Sequence, residues 1–123
     1  MNNLICDRAS QLFASLSHPT RLRIVELLCT GERTVNEIAA ELHLGQSGTS
    51  QHLAILTRAG VLMVEQRGVS RFYRVRGPRI QRILDLIVEF CQTHELYGLP
   101  DDAASAAPLP ASTPTADPNK GPE

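Results

Sequence analysis

The segment from Thr34 to Val75 constrains the fold more than any other, because two short helix patterns run directly into two strand patterns. Thr34-Val35-Asn36-Glu37 has capping-box order, a hydroxyl followed three residues later by a carboxylate, which answers two of the N–H groups left open at a helix start. A helix from Thr34 to about Leu42 is expected. The connection His43-Leu44-Gly45-Gln46 leads to a second helix over Ser47 to Arg58, with Leu53 and Leu56 inward and Gly60 at the left-handed position that closes a helix. Val61 to Gln66 and Arg71 to Val75 then read as strands around Arg67-Gly68-Val69-Ser70, a hairpin with arginines at and beside its tip. Two helices joined by a tight turn occur in many unrelated proteins. The hairpin that follows them is a wing.

The flanking segments supply the core. Leu4 to Leu16 predicts a helix with Ile5, Leu12, Phe13 and Leu16 on a broad apolar side. After His18-Pro19, a helix over Thr20 to Cys29 follows, since proline fits the first helical position, and Gly31 ends it. A last amphipathic helix spans about Pro78 to Leu96, with Ile80, Ile83, Leu84, Ile87, Val88 and Cys91 at helical spacing. So wide an apolar face exceeds what a small domain can bury, which points to self-association. From Leu99 the chain turns to Ala, Ser, Thr, Asp and repeated Pro, a composition that cannot offset ordering entropy. The expected organisation is one domain over residues 1–98 and a disordered tail over 99–123. Its fold class is mainly α with a small β-hairpin, five helices plus a wing.

The net charge of −1 over 123 residues conceals an uneven distribution. Between Gly45 and Arg82 the only acid is Glu65, against Arg58, Arg67, Arg71, Arg74, Arg76, Arg79 and Arg82. Such a stripe is the footprint of a phosphate-binding surface, with a solvated basic face as the competing reading. No apolar run reaches membrane-spanning length and Met1 to Asp7 lacks signal-peptide regions, so a cytoplasmic protein without membrane partners is expected. Cys6, Cys29 and Cys91 are odd in number and lack CxxC spacing, which excludes a secreted disulfide framework.

Three stretches together resemble the ArsR/SmtB-type winged helix-turn-helix repressors. They are Leu16-Ser17-His18-Pro19-Thr20-Arg21-Leu22-Arg23-Ile24, Gln46 through Gly60, and Arg67-Gly68-Val69-Ser70-Arg71-Phe72-Tyr73-Arg74-Val75. The resemblance covers about residues 9 to 92. It implies a homodimer built from the first and last helices, with the fourth helix in the major groove of double-stranded operator DNA and the wing along the flanking backbone. The side chains agree independently: Gln46, Ser47, Thr49, Ser50, Gln51 and His52 put hydroxyls, amides and an imidazole at a helix N-terminus, suited to base edges and phosphates. Gln51 is the first choice for reading adenine. Arg67 and Arg71 are expected on phosphates or in a narrow minor groove, whereas Arg21 and Arg23 are expected in ion pairs. Gly48 costs about 1 kcal/mol inside a helix relative to alanine, so either DNA approaches closely there or the helix begins later.

Family members differ in their inducer sites. The metalloid site resembles Glu-Leu-Cys-Val-Cys-Asp, and Thr34 to Ala40 lacks it; the zinc site needs Asp-x-His, and Asp85-Leu86-Ile87 lacks the histidine while His94-Glu95 has the wrong spacing. Redox- and sulfur-responsive relatives use one cysteine in the second helix and one in the last, which implies Cys29 and Cys91. Their second-helix position aligns better with Glu26, so Cys6 is an alternative partner for Cys91. Buried structural thiols are the competing reading. A soft-ion site on all three thiols ranks behind the redox pair, and no resident cofactor is expected. No nucleophile, base and orienter set argues for an enzyme. A winged-helix module for protein interaction alone is the rival that the basic wing opposes.

Overall fold

The computed structural model describes residues 1–93, and the chain divides into two compact units, Met1–Leu84 and Asp85–Glu123. The expected end of the last helix at Leu96, the boundary at residue 99 and the tail beyond it lie outside the described residues.

Three helix starts in the first unit have a local chemical cause. Helix α1 (Asn3–Leu16) is capped by Asn2, whose Oδ1 accepts from the Ile5 N–H at 2.9 Å. Helix α2 (Pro19–Leu28) has proline in its first turn and His18 as cap, the ring Nδ1 accepting from the Thr20 N–H at 3.1 Å. Helix α3 (Val35–Leu42) has the full capping box: Thr34 Oγ1 accepts from the Glu37 N–H and Glu37 Oε1 accepts from the Thr34 N–H. Helix α4 (Gln46–Arg58) starts one residue before the expected Ser47, so Gly48 lies within it.

The turn between α3 and α4 is a Schellman closure. The Leu44 N–H reaches the Ala39 carbonyl at 2.8 Å and the His43 N–H that of Ala40, with His43 at φ 57°. Helix α4 ends the same way, Val61 N–H on Leu56 and Gly60 N–H on Thr57, and Gly60 takes φ 85° as its position required.

Strands β1 (Arg33–Thr34), β2 (Leu62–Arg67) and β3 (Ser70–Val75) form an antiparallel sheet in the order β1-β3-β2. Pairing of Arg67 with Ser70 leaves Gly68 and Val69 as a two-residue turn, with Gly68 at φ 61° supplying the left-handed residue that such hairpins need. The short β1 was not expected; it pairs Arg33 with Tyr73 and Thr34 with Phe72 and joins the helical half to the wing.

The core is Ile24, Val25 and Leu28 of α2, Ile38 of α3, Leu53 and Leu56 of α4, and Val61 and Leu62 leading into β2, all nearly without solvent contact. It holds α4 by one face only. Helix α5 (Pro78–Gln92) begins in the first unit, where Leu84 is buried, and ends in the second, whose Leu86, Val88 and Phe90 are exposed. No helix among the described residues is long and apolar enough to cross a membrane.

Candidate nucleic-acid interface

Helix α4 presents two faces set by its sequence. Thr49, Leu53 and Leu56, spaced four and three apart, are buried. Ser47, Ser50, Gln51 and Ala54, at the complementary spacing, form one exposed stripe, with Gln46 and Gly48 exposed beside it. Unlike α1, α2 and α3, this helix has no side-chain cap: Gly45 at its start offers no acceptor. Its first N–H groups therefore face solvent together with two amides and two hydroxyls, a concentration of donors with the positive end of a helix dipole behind it. A Cβ added at Gly48 would meet nothing within 4 Å. Nothing inside the chain demands glycine there.

Two of the expected contact residues are placed otherwise. Thr49 is 1% exposed and its Oγ1 donates to the Gly45 carbonyl at 2.7 Å, so it anchors the helix start and cannot reach DNA. His52 is half-buried against His18, ring centroids 4.6 Å apart, with its Nδ1 3.4 Å from an Arg21 guanidinium nitrogen. Burial, then the charges of His18 and Arg21, hold the His52 imidazole below its ordinary pKa. Arg21 was expected in an ion pair. Instead its Nε donates to the Ser15 carbonyl at 2.6 Å and Nη2 to that of Ala14, closing the C-terminal end of α1.

The wing arginines divide by their partners. The Arg67 fork donates to both Glu32 carboxylate oxygens, at 2.6 and 2.9 Å, and to Glu65 at 2.8 Å, and it lies 4.5 Å above the Phe72 ring. Hydrogen bonding to Arg67 holds both carboxyls below the usual range, and the two acids raise the guanidinium's pKa in return. Arg67 thus ties the wing to the chain before β1, and its charge is offset. Sequence reasoning missed Glu32 because the partners are far apart in the chain; Glu65, two residues before Arg67 on the same strand face, was the available signal. Arg71 is exposed, held among the described residues only by its Nε donating to Gln66 Oε1 at 3.2 Å, and Arg74 is exposed too. Among the described residues these two wing arginines form no ion pair, although Arg74 lies close enough to Glu32 and Glu65 to help hold their carboxyls ionised.

Cys6 on α1 and Cys91 on α5 are exposed, while Cys29, the C-cap of α2, is half-buried. Cys91 is therefore not a core residue of the single chain. Among the described residues no group of three or more His, Cys, Asp or Glu side chains is placed to hold a metal ion. The three-thiol site expected as a lesser alternative is not assembled there.

A capped α3, a turn closed at His43, an exposed α4 face and a basic hairpin define a winged helix-turn-helix DNA-binding protein. Residues 18–63 match the model of the family described as bacterial regulatory protein, arsR family. The chain is 34% identical over 84 residues to an uncharacterised HTH-type transcriptional regulator of Methanocaldococcus jannaschii, covering 68% of this chain and 94% of that one. Among solved structures, it resembles a possible transcriptional regulatory protein fragment of Mycobacterium bovis with a TM-score of 0.72 and 25% identity, over 76% of this chain and 100% of that one. It also resembles reduced HlyU of Vibrio cholerae with a TM-score of 0.61 and 29% identity, over 76% and 93%. The chain belongs to the ArsR family of DNA-binding transcriptional regulators. It is not an enzyme, and a protein-interaction module without DNA binding is set aside by the same finding.

Proposed function

We propose that this regulator is a homodimeric repressor that reads operator DNA with the exposed start of α4 and leaves it when its thiols are modified. The observation that carries the reading is the uncapped α4 N-terminus, where Gln46, Ser47, Ser50 and Gln51 stand exposed on a helix clamped to the core by its opposite face. Gln51 reads a base, its amide bidentate on adenine, and Gln46, Ser47 and Ser50 hold phosphates or base edges. Arg71 and Arg74 take the flanking backbone, and Arg67 with Glu32 fixes the angle of the wing. Release through thiols is supported by the exposure of Cys6 and Cys91 on the two helices whose apolar side chains are also exposed, and by likeness to a solved structure described as reduced HlyU. Zinc or arsenite as the signal has less support, since no cluster of ligands is present among the described residues.

The test begins with duplexes selected from a random pool by the reduced protein. Gln51→Ala should narrow the gap in affinity between the selected and scrambled duplexes by about 1–3 kcal/mol. Arg71→Ala should weaken both alike. Treatment with diamide or polysulfide should release the selected duplex, and a variant with serine at positions 6, 29 and 91 should stay bound. A selected duplex indifferent to Gln51→Ala overturns the reading residue; release of the serine variant overturns the thiol signal and leaves DNA reading intact.

A further inference from the structure

A groove on the far end of α4 from the DNA-reading residues has the lining of a ligand site. Two adjoining hollows between α1 and the end of α4 share Gln11, Arg58 and Ala59 and so form one continuous depression. One end is ionic. Arg8 of α1, Arg58 in the last turn of α4 and Arg76 just beyond β3 line it, and Asp7 lines it too, so three guanidinium groups face one carboxylate. Neither Arg8 nor Arg58 has an ion-pair partner among the described residues. Arg76 is pinned at the rim, its Nε donating to the Gly60 carbonyl at 2.7 Å. The other end is lined by Ala14, Ile55 and the shared Ala59 on its apolar side, with Ser15 and the shared Gln11 and Arg58 beside them.

We propose that this groove binds a small amphipathic carboxylate, its head between Arg8 and Arg58 and its apolar body along Ala14 and Ile55. Guanidinium forks match planar carboxylates with two parallel hydrogen bonds, and an apolar channel with a few convergent polar groups is the usual make-up of a small-molecule site. DNA phosphates do not account for the arginines: Arg58 lies twelve residues after Gln46, about 18 Å along the helix from its N-terminus. A second copy of the chain seated on Ile5 and Phe13 does not account for them either. The groove residues of α1, at positions 4, 7, 8, 11, 14 and 15, fall on one side of the helix, the exposed Leu4 among them, and Ile5 and Phe13 project from the other at about 100° per residue. The proposal goes beyond thiol-triggered release and does not depend on it.

Calorimetric titration of the full DNA-free chain tests this with three probes. Octanoate should bind saturably at one site per protomer, and octanol and inorganic phosphate each about tenfold or more weaker, because each fills only one end of the groove. Arg58→Gln and Arg8→Gln should each weaken octanoate about tenfold with unchanged melting temperature, and Gln51→Ala should leave it unchanged. Equal binding of octanoate and octanol, equal binding of octanoate and phosphate, absence of saturation, or full affinity in Arg58→Gln overturns the proposal. Since no DNA is present, these outcomes stand whether or not the operator-reading assignment survives.

Discussion

Glu32 and His52 show how single side chains set what the interface can do. Glu32 holds both ends of the Arg67 fork, so that arginine reaches DNA only by giving up a bidentate partner. Glu32→Gln leaves Arg67 with Glu65 as its one charged partner among the described residues and removes a negative charge beside the wing. Affinity for any duplex should rise, and the slope of log affinity against log salt should steepen by up to about 0.9, the increment for one more neutralised phosphate. A parallel slope would mean that Arg67 stays a wing brace in the complex. His52 titrates against the fold: burial beside His18 and Arg21 favours its neutral form. On lowering pH, the unfolded chain takes up a proton first, at its ordinary value near 6.5, and stability falls because the unfolded state then binds more protons. His18 uses Nδ1 to accept from Thr20, and Arg21 is already a cation. Urea midpoints taken at several pH values between about 7.5 and 5.5 should fall more for the native chain than for His52→Gln, and equal decline in both would place the acid sensitivity elsewhere.

At the level of the elements, boundaries with a local cause were legible and boundaries with a distant one were not. Thr34 with Glu37 and Gly60 each fix a helix end through bonds to residues within a few positions, Pro19 does so through its fixed backbone angle and missing N–H, and each appears where its chemistry places it. Strand β1 is only two residues long, too short to show a period, and exists because β3 offers it an edge. The exposed stripe of α4 was readable, but Thr49 was grouped with it by polarity although it sits four residues before Leu53 and seven before Leu56, the spacing of the buried face. Gly48 separates fold from function within the same element. With open space around its Cβ position, Gly48→Ala should raise unfolding stability by about 0.5–1 kcal/mol, measured by denaturant titration. DNA affinity should drop nonetheless, because the added methyl stands where the duplex approaches. A variant both more stable and equally tight on DNA would show that the backbone at Gly48 is not a point of contact.

Whole-molecule function turns on apolar surface that one chain leaves uncovered. Ile5 and Phe13 on α1, and Leu86, Val88 and Phe90 on α5, are between 47% and 65% exposed, and large side chains left in water on each helix are the kind of surface that the proposed dimer would bury. The sequence showed this through the surplus apolar face of the last helix, though it could not show which residues the core would spare. A two-fold dimer presents two α4 helices, so its operator should be a pseudo-palindrome with half-site centres about 10 base pairs, or a multiple of that, apart. Phe13→Glu combined with Phe90→Glu places carboxylates in both faces while leaving Ile24, Leu53 and the rest of the core untouched. Sedimentation should then give a monomer with native helix content, and affinity for the palindrome should fall to that for an isolated half-site, since the second contact is no longer tethered to the first. Retained dimerisation in this variant would move the interface away from α1 and α5, whereas a monomer that still prefers the full palindrome would mean that the two copies meet on the DNA itself.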